Sequence, residues 1–154
     1  MKITELMTED IMCLELTSKT KKEVIKELSQ LLFDADKISD LDKFVTEIET
    51  REALSTTGVG YGIAIPHAKT KFVKTPALAF GKSKEGIDYD SMDGENAHVF
   101  FMIAAPADGA NLHLQTLAKL SRKLIDEQFR NDLLEASDAK EVLKVLSKID
   151  KEEK

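Results

Sequence analysis

Residues Ala97–Ala105 read AHVFFMIAA, and this stretch decides the fold class. Apart from His98, its side chains are apolar on both alternating faces, so a strand built from it has no side to offer water. Such strands lie in mid-sheet with helices packed on both faces. Working outward, Ala77–Gly81 (ALAFG), Ile63–Ile65 (IAI) and Ile11–Leu16 (IMCLEL) read as further strands. The segments between and after them have helical period. Behind Ser18, the expected cap, Val24, Ile25, Leu28, Leu31 and Leu32 form an i, i+1, i+4, i+7, i+8 stripe. A second helix begins near Asp40, with Leu41, Phe44, Val45 and Ile48 on one side, and the glycine-rich segment ends it. A helix over about residues 112–125 turns Leu117, Leu120 and Leu124 inward, and a shorter one covers 129–135. The final helix is capped by Asp138 with Glu141 three residues on. Strands and helices interleave, which makes the chain α/β: a mixed parallel/antiparallel sheet covered by helices on both faces.

The 154 residues suffice for one domain with a real core, expected over 1–150, with the polar 151–154 as a tail or the start of a linker. At 42% apolar and 32% charged, the composition is that of an ordinary globular protein. No apolar run nears the roughly 20 residues of a membrane span, and MKITELMTEDI carries no signal-peptide pattern. One cysteine, Cys13, permits no internal disulfide and suits a reducing, cytoplasmic setting; inside its apolar strand it reads as a core residue. A net charge of −6 argues against a general nucleic-acid binder and is compatible with steering of a basic protein partner.

Several familiar motifs fail. In GVGYGI, after Gly58 and Gly60, the third glycine of a dinucleotide loop falls on Ile63, and a strand follows where a helix is needed. FGKSK lacks the leading glycine of a phosphate-binding loop, since Pro76 stands there. His67, His98 and His113 show no short-spaced pair of metal ligands, so neither metal nor cofactor is implied.

What remains is STTGVGYGIAIPHAKT, Ser55–Thr70. An isolated Pro-His dipeptide reads first as part of a turn with no role, and its surroundings argue otherwise. Pro66 holds Ile65 extended, so the strand runs rigidly up to His67. The glycines let the backbone pass close to a ligand or partner and use positive φ. A histidine at a strand end can bind a backbone carbonyl through one ring nitrogen and keep the other as nucleophile. His113 shares a helix face with Leu117, Leu120 and Leu124, as a half-buried core histidine would. With Asn111 as N-cap, however, it stands in the first turn, where an anion is favoured. His98, in the buried strand, reads as structural. Arg51 is either a solvated helix-end charge or a fork for a phosphoryl group. Ser55, Thr56 and Thr57 add hydroxyl donors, and Lys69, Lys71 and Lys74 make this the only locally basic stretch. The collection suits a phosphorylated histidine better than a metal.

REALSTTGVGYGIAIPHA (Arg51–Ala68) resembles the active-site segment of the fructose/mannitol-type enzyme IIA domains of the bacterial sugar phosphotransferase system. An Arg-Glu pair, a Ser/Thr-Gly segment and G-x-[IL]-A-[ILV]-P-H are all present. The resemblance spans the whole chain, through DSMDGENAHVFFMIAAPA and HLQTLAKLSRKL, and HAKT and FGKSKEGIDYDSMDG look closer to the fructose-type branch than to the nitrogen-regulatory one. It implies that His67 accepts a phosphoryl group from the phosphocarrier protein HPr and passes it to a cysteine of an enzyme IIB domain. Enzyme IIB then serves the membrane IIC sugar transporter. On the same resemblance His113 is the supporting histidine and Arg51 the phosphate-stabilising arginine. The alternative is a regulatory IIA-like domain whose phosphorylation state governs protein partners.

Overall fold

The computed structural model describes residues 2–109 and 111–152. In chain order they form helix α1 (Ile3–Leu6), a 3-10 turn (Glu9–Ile11), strand β1 (Met12–Cys13), and helices α2 (Lys21–Asp34) and α3 (Leu41–Leu54). Strands β2 (Gly58–Gly60), β3 (Ile63–Ala64), β4 (His67–Thr70), β5 (Ala77–Ile87) and β6 (Ala97–Pro106) follow. Helices α4 (Leu112–Leu124), α5 (Glu127–Glu135) and α6 (Ala139–Glu152) complete the order.

The six-stranded sheet runs β1-β5-β6-β3-β2, with β4 also paired to β6. β1 on β5, and β3 and β4 on β6, are parallel; β5 on β6 and β2 on β3 are antiparallel. β6 is central and its alternation divides the interior in two. Phe100, Met102 and Ala104 join α2 and α3 residues such as Leu28, Leu32, Phe44 and Ile48. Val99, Phe101 and Ile103 join Ile3 and Leu6 of α1 with Leu120, Phe129, Leu133, Val142 and Leu146 of α4–α6. The mixed sheet with helices on both faces is as its sequence implied.

Helix starts follow local chemistry. The cap of α2 is Thr20, not Ser18: Thr20 accepts from the Glu23 N–H at 3.1 Å while the Glu23 carboxylate accepts from the Thr20 N–H at 3.2 Å. Ser18 instead gives its hydroxyl to Glu27. Asp40 caps α3, and Asp138 accepts from the Glu141 N–H at 2.9 Å ahead of α6. Asp150, near the end of α6, accepts from the N–H groups of Ile3 and Thr4 at 2.7 and 3.2 Å, tying α1 to the last helix. Of Ile11–Leu16, only Met12 and Cys13 form a strand; the chain then turns away after one more bond, Leu16 N–H to the Lys82 carbonyl. β5, conversely, runs on through the polar KSKEG to Ile87. Residues 151 and 152 of the expected tail continue α6, and 153–154 lie outside the described residues. No helix among the described residues is long and apolar enough to cross a membrane.

Candidate active site

Pro66 sets the site up. Ile63 and Ala64 lie opposite Val99 and Phe100, and His67 resumes the same register opposite Ile103. β3 and β4 are therefore one line along β6, interrupted where proline has no N–H to give; the Pro66 carbonyl still accepts from the Ile103 N–H at 2.9 Å. His67 thus opens a new strand segment, not the end of one as its sequence suggested. Side chains alternate along the line, so Ile63, Ile65 and His67 share the face against which α4 packs.

His67 is only 7% exposed, and its Nδ1 lies 2.9 Å from the Ile65 carbonyl oxygen. A carbonyl only accepts, so Nδ1 carries the proton and the lone pair of the neutral ring belongs to Nε2. Burial holds the imidazole below its ordinary pKa of 6.5; the Ile65 bond opposes this, the Arg51 charge adds to it, and Glu52 pulls the other way. The result is a neutral ring with a defined nucleophilic nitrogen at neutral pH.

His113, the second residue of α4, has its ring centroid 6.4 Å from that of His67, with the planes tilted by 36°. Asn111 is the N-cap residue as expected, but its side chain makes no cap bond. The His113 Nδ1 is buried with no hydrogen-bond partner among the described residues. Burial first, then the charges of His67 and Lys69, lower its pKa. Arg51, in the last turn of α3, donates from Nη1 to the Ser55 carbonyl at 3.0 Å and reaches Ser55 Oγ at 3.4 Å.

The threonines are occupied differently from what their sequence suggested. The Thr56 hydroxyl donates to the Tyr89 carbonyl at 3.2 Å and accepts from the Gly58 N–H at 3.0 Å, while Thr57 gives its hydroxyl to Glu52. Glu52, present in the Arg-Glu pair of the motif, is the residue to which sequence reasoning gave no role. It lies at 9% exposure beside the site and collects Thr57, Tyr89 and Lys21 around its carboxylate. Its signal was available: Phe44, Ile48 and Glu52 are four apart, so a carboxylate stands on the inward stripe of α3.

The glycines also serve the chain itself. Gly60, Tyr61 and Gly62, with φ of +97°, +59° and +77°, turn β2 into β3. A Cβ on Gly58 would stand 2.9 Å from the Ser91 Cα, so the close approach there is intramolecular. His98, half-buried at the far end of β6, has its Nδ1 3.0 Å from the Ser83 carbonyl oxygen. Cys13 is half-buried, and burial raises its thiol pKa. Among the described residues no group of three His, Cys, Asp or Glu side chains is placed to hold a metal ion.

The chain matches, over residues 5–149, the family described as "Phosphoenolpyruvate-dependent sugar phosphotransferase system, EIIA 2". It is 46% identical to the fructose-specific EIIABC component of Bacillus subtilis, over 98% of this chain but only 24% of that protein, so it spans about a quarter of that relative's length. It is 43% identical to the fructose-specific EIIA component of Haloferax volcanii, over 97% of this chain and 99% of the relative. Among solved structures, the nitrogen regulatory protein IIA-Ntr of Neisseria meningitidis superposes with a TM-score of 0.87 at 29% identity, covering 94% of this chain and 98% of that one.

Proposed function

This chain belongs to the EIIA 2 family of the phosphoenolpyruvate-dependent sugar phosphotransferase system, and on that premise we propose that it is a cytoplasmic phosphocarrier of fructose-type uptake, phosphorylated on His67. The lone pair of His67 Nε2 attacks the phosphorus of phospho-HPr. A nitrogen–phosphorus bond forms as the donor's breaks, and the electron pair returns to the donor histidine. In the second step a cysteine thiolate of an enzyme IIB domain attacks the same phosphorus, and Nε2 recovers its lone pair. Enzyme IIB then phosphorylates the sugar brought in by the membrane IIC component. Phosphoryl transfer asks mainly for in-line positioning and charge stabilisation. Arg51 supplies a guanidinium fork, and His113 an imidazole at the head of α4, where the helix dipole favours an anion.

The observation that carries this reading is the 2.9 Å bond from His67 Nδ1 to the Ile65 carbonyl, which leaves the lone pair on Nε2, with the His113 ring 6.4 Å away and the Arg51 charge felt at the imidazole. The identities of 46% and 43% to fructose-specific components, against 29% to a nitrogen regulatory protein, favour transport over a regulatory role. Phosphorylated protein offered to a fructose-type enzyme IIB is expected to label the IIB cysteine. A protein that is labelled by HPr but passes nothing to any IIB would belong to the regulatory class instead.

A further inference from the structure

We propose that Glu52 is a positioning residue for phosphoryl transfer, orienting His67 through Thr57 and Ile65. The carboxylate is an unusual anchor. Burying one is costly unless its charge is paired and its lone pairs are filled, and here both conditions are met from separate parts of the chain. Oε2 accepts from the Thr57 N–H at 3.1 Å and pairs with Lys21 Nζ, from the start of α2, at 2.9 Å. Oε1 accepts from the Thr57 hydroxyl and from the Tyr89 hydroxyl at 3.0 Å. Lys21 also stands 4.6 Å above the Tyr89 ring. An apolar side chain at position 52 would take the acceptor from all of these donors at once and leave the buried Thr57 N–H without its partner.

From this anchor a continuous hydrogen-bonded path leads to the candidate nucleophile. The Thr57 carbonyl accepts from the Ile65 N–H at 2.9 Å, and the Ile65 carbonyl accepts from His67 Nδ1 at 2.9 Å. Both backbone groups of Thr57 and both of Ile65 are thereby committed to one chain of contacts. Its last link is the bond that keeps the proton on Nδ1 and the lone pair on Nε2. Because Lys21 balances the carboxylate, a phosphoryl group on His67 does not meet an unpaired anion behind it. The consequence for transfer rests on the function proposed above; the consequence for the ring's orientation does not.

The test compares Glu52→Gln, Glu52→Ala and Tyr89→Phe with the unaltered protein. Nitrogen NMR of the His67 imidazole reads its tautomer in the unphosphorylated state, and phospho-HPr kinetics read kcat and KM separately. Both Glu52 variants should mix the two tautomers, move the His67 titration to lower pH and reduce kcat about 10- to 100-fold with little change in KM. Tyr89→Phe removes one hydrogen bond to the carboxylate but keeps its charge, so it should mix the tautomers and lower kcat by less and leave the titration in place. A folded Glu52 variant that keeps a single Nδ1–H tautomer and a kcat within about twofold would overturn the proposal. Should Glu52→Ala not fold, Glu52→Gln and Tyr89→Phe decide it in the same way. If the tautomer shifts but the unaltered protein takes no phosphoryl group, the anchor stands and the assigned function fails.

Discussion

His67 and His98 use one device at opposite ends of the β6 line. Each places its Nδ1 about one hydrogen-bond length from a backbone carbonyl oxygen, of Ile65 at 2.9 Å and of Ser83 at 3.0 Å. Their surroundings differ. His67 has a second imidazole 6.4 Å away and lies within the influence of Arg51. His98 is wedged against Gly86, whose Cβ, were there one, would meet the ring at 2.8 Å, and it borders a cleft of about 640 Å³ shared by Lys84, Glu85 and Glu15. A fixed tautomer is therefore not a function by itself. What sets a candidate nucleophile apart from a structural histidine is the company around its ring, here a second imidazole and the Arg51 charge.

The comparison breaks most directly at His67. His67→Ala is expected to abolish labelling by phosphoenolpyruvate, enzyme I and HPr, and normal incorporation into that variant would refute the site. Next in size are His113→Ala and Arg51→Ala. Each should fold normally and slow phosphoryl acceptance by roughly 10²- to 10³-fold, the scale of a lost transition-state donor; rapid-quench kinetics at unchanged rate would return the residue to a packing or surface role.

Acid provides a smaller effect. The ordinary value of 6.5 applies to His67 and His113 in the unfolded chain, and both are lower in the folded protein, mainly through burial. Their contribution to stability is complete above about pH 6.5 and lost as the pH falls below it toward the folded values, because the unfolded chain binds protons first. Urea denaturation at about pH 7 and pH 5 should show this loss, and a His67→Ala/His113→Ala double variant should show less of it. The smallest change is expected from His98→Ala: acceptance within about twofold of the unaltered protein, with a stability loss near 1 kcal/mol from the broken bond to Ser83. A severe transfer defect there would erase the distinction between the two histidines.

Legibility from sequence followed the range of the interactions. β6 was plain because its apolarity on both faces has one common explanation, and the stripe of α2 because its period is local. The sequence also pointed to His67 and His113, whose rings stand 6.4 Å apart, and to Arg51, whose charge reaches His67. Thr20 displaced Ser18 as a cap because Ser18's hydroxyl is engaged by Glu27, nine residues along. The polar stretch of β5 lies in a register irregularity between the Lys82–Val99 and Ile87–Ala97 pairs with β6, a long-range feature that its own residues do not announce. Glu52 was hardest, since its partners Lys21 and Tyr89 lie 31 residues before and 37 after it, a distance that no local pattern crosses. Thr56 and Thr57 illustrate the converse: a hydroxyl read as a ligand-binding group is already engaged within the chain, Thr56 with backbone groups and Thr57 with the Glu52 carboxylate.

The shared register of β3 and β4 along β6 has a consequence for how this molecule can change. The step from Ile63 to His67 spans an even number of positions, and evenness alone sends the imidazole toward α4. An odd insertion or deletion between them, however small in volume, would swap the ring to the α2 and α3 side and leave His113 facing an alanine or a proline. This segment can change its letters, but it keeps its parity.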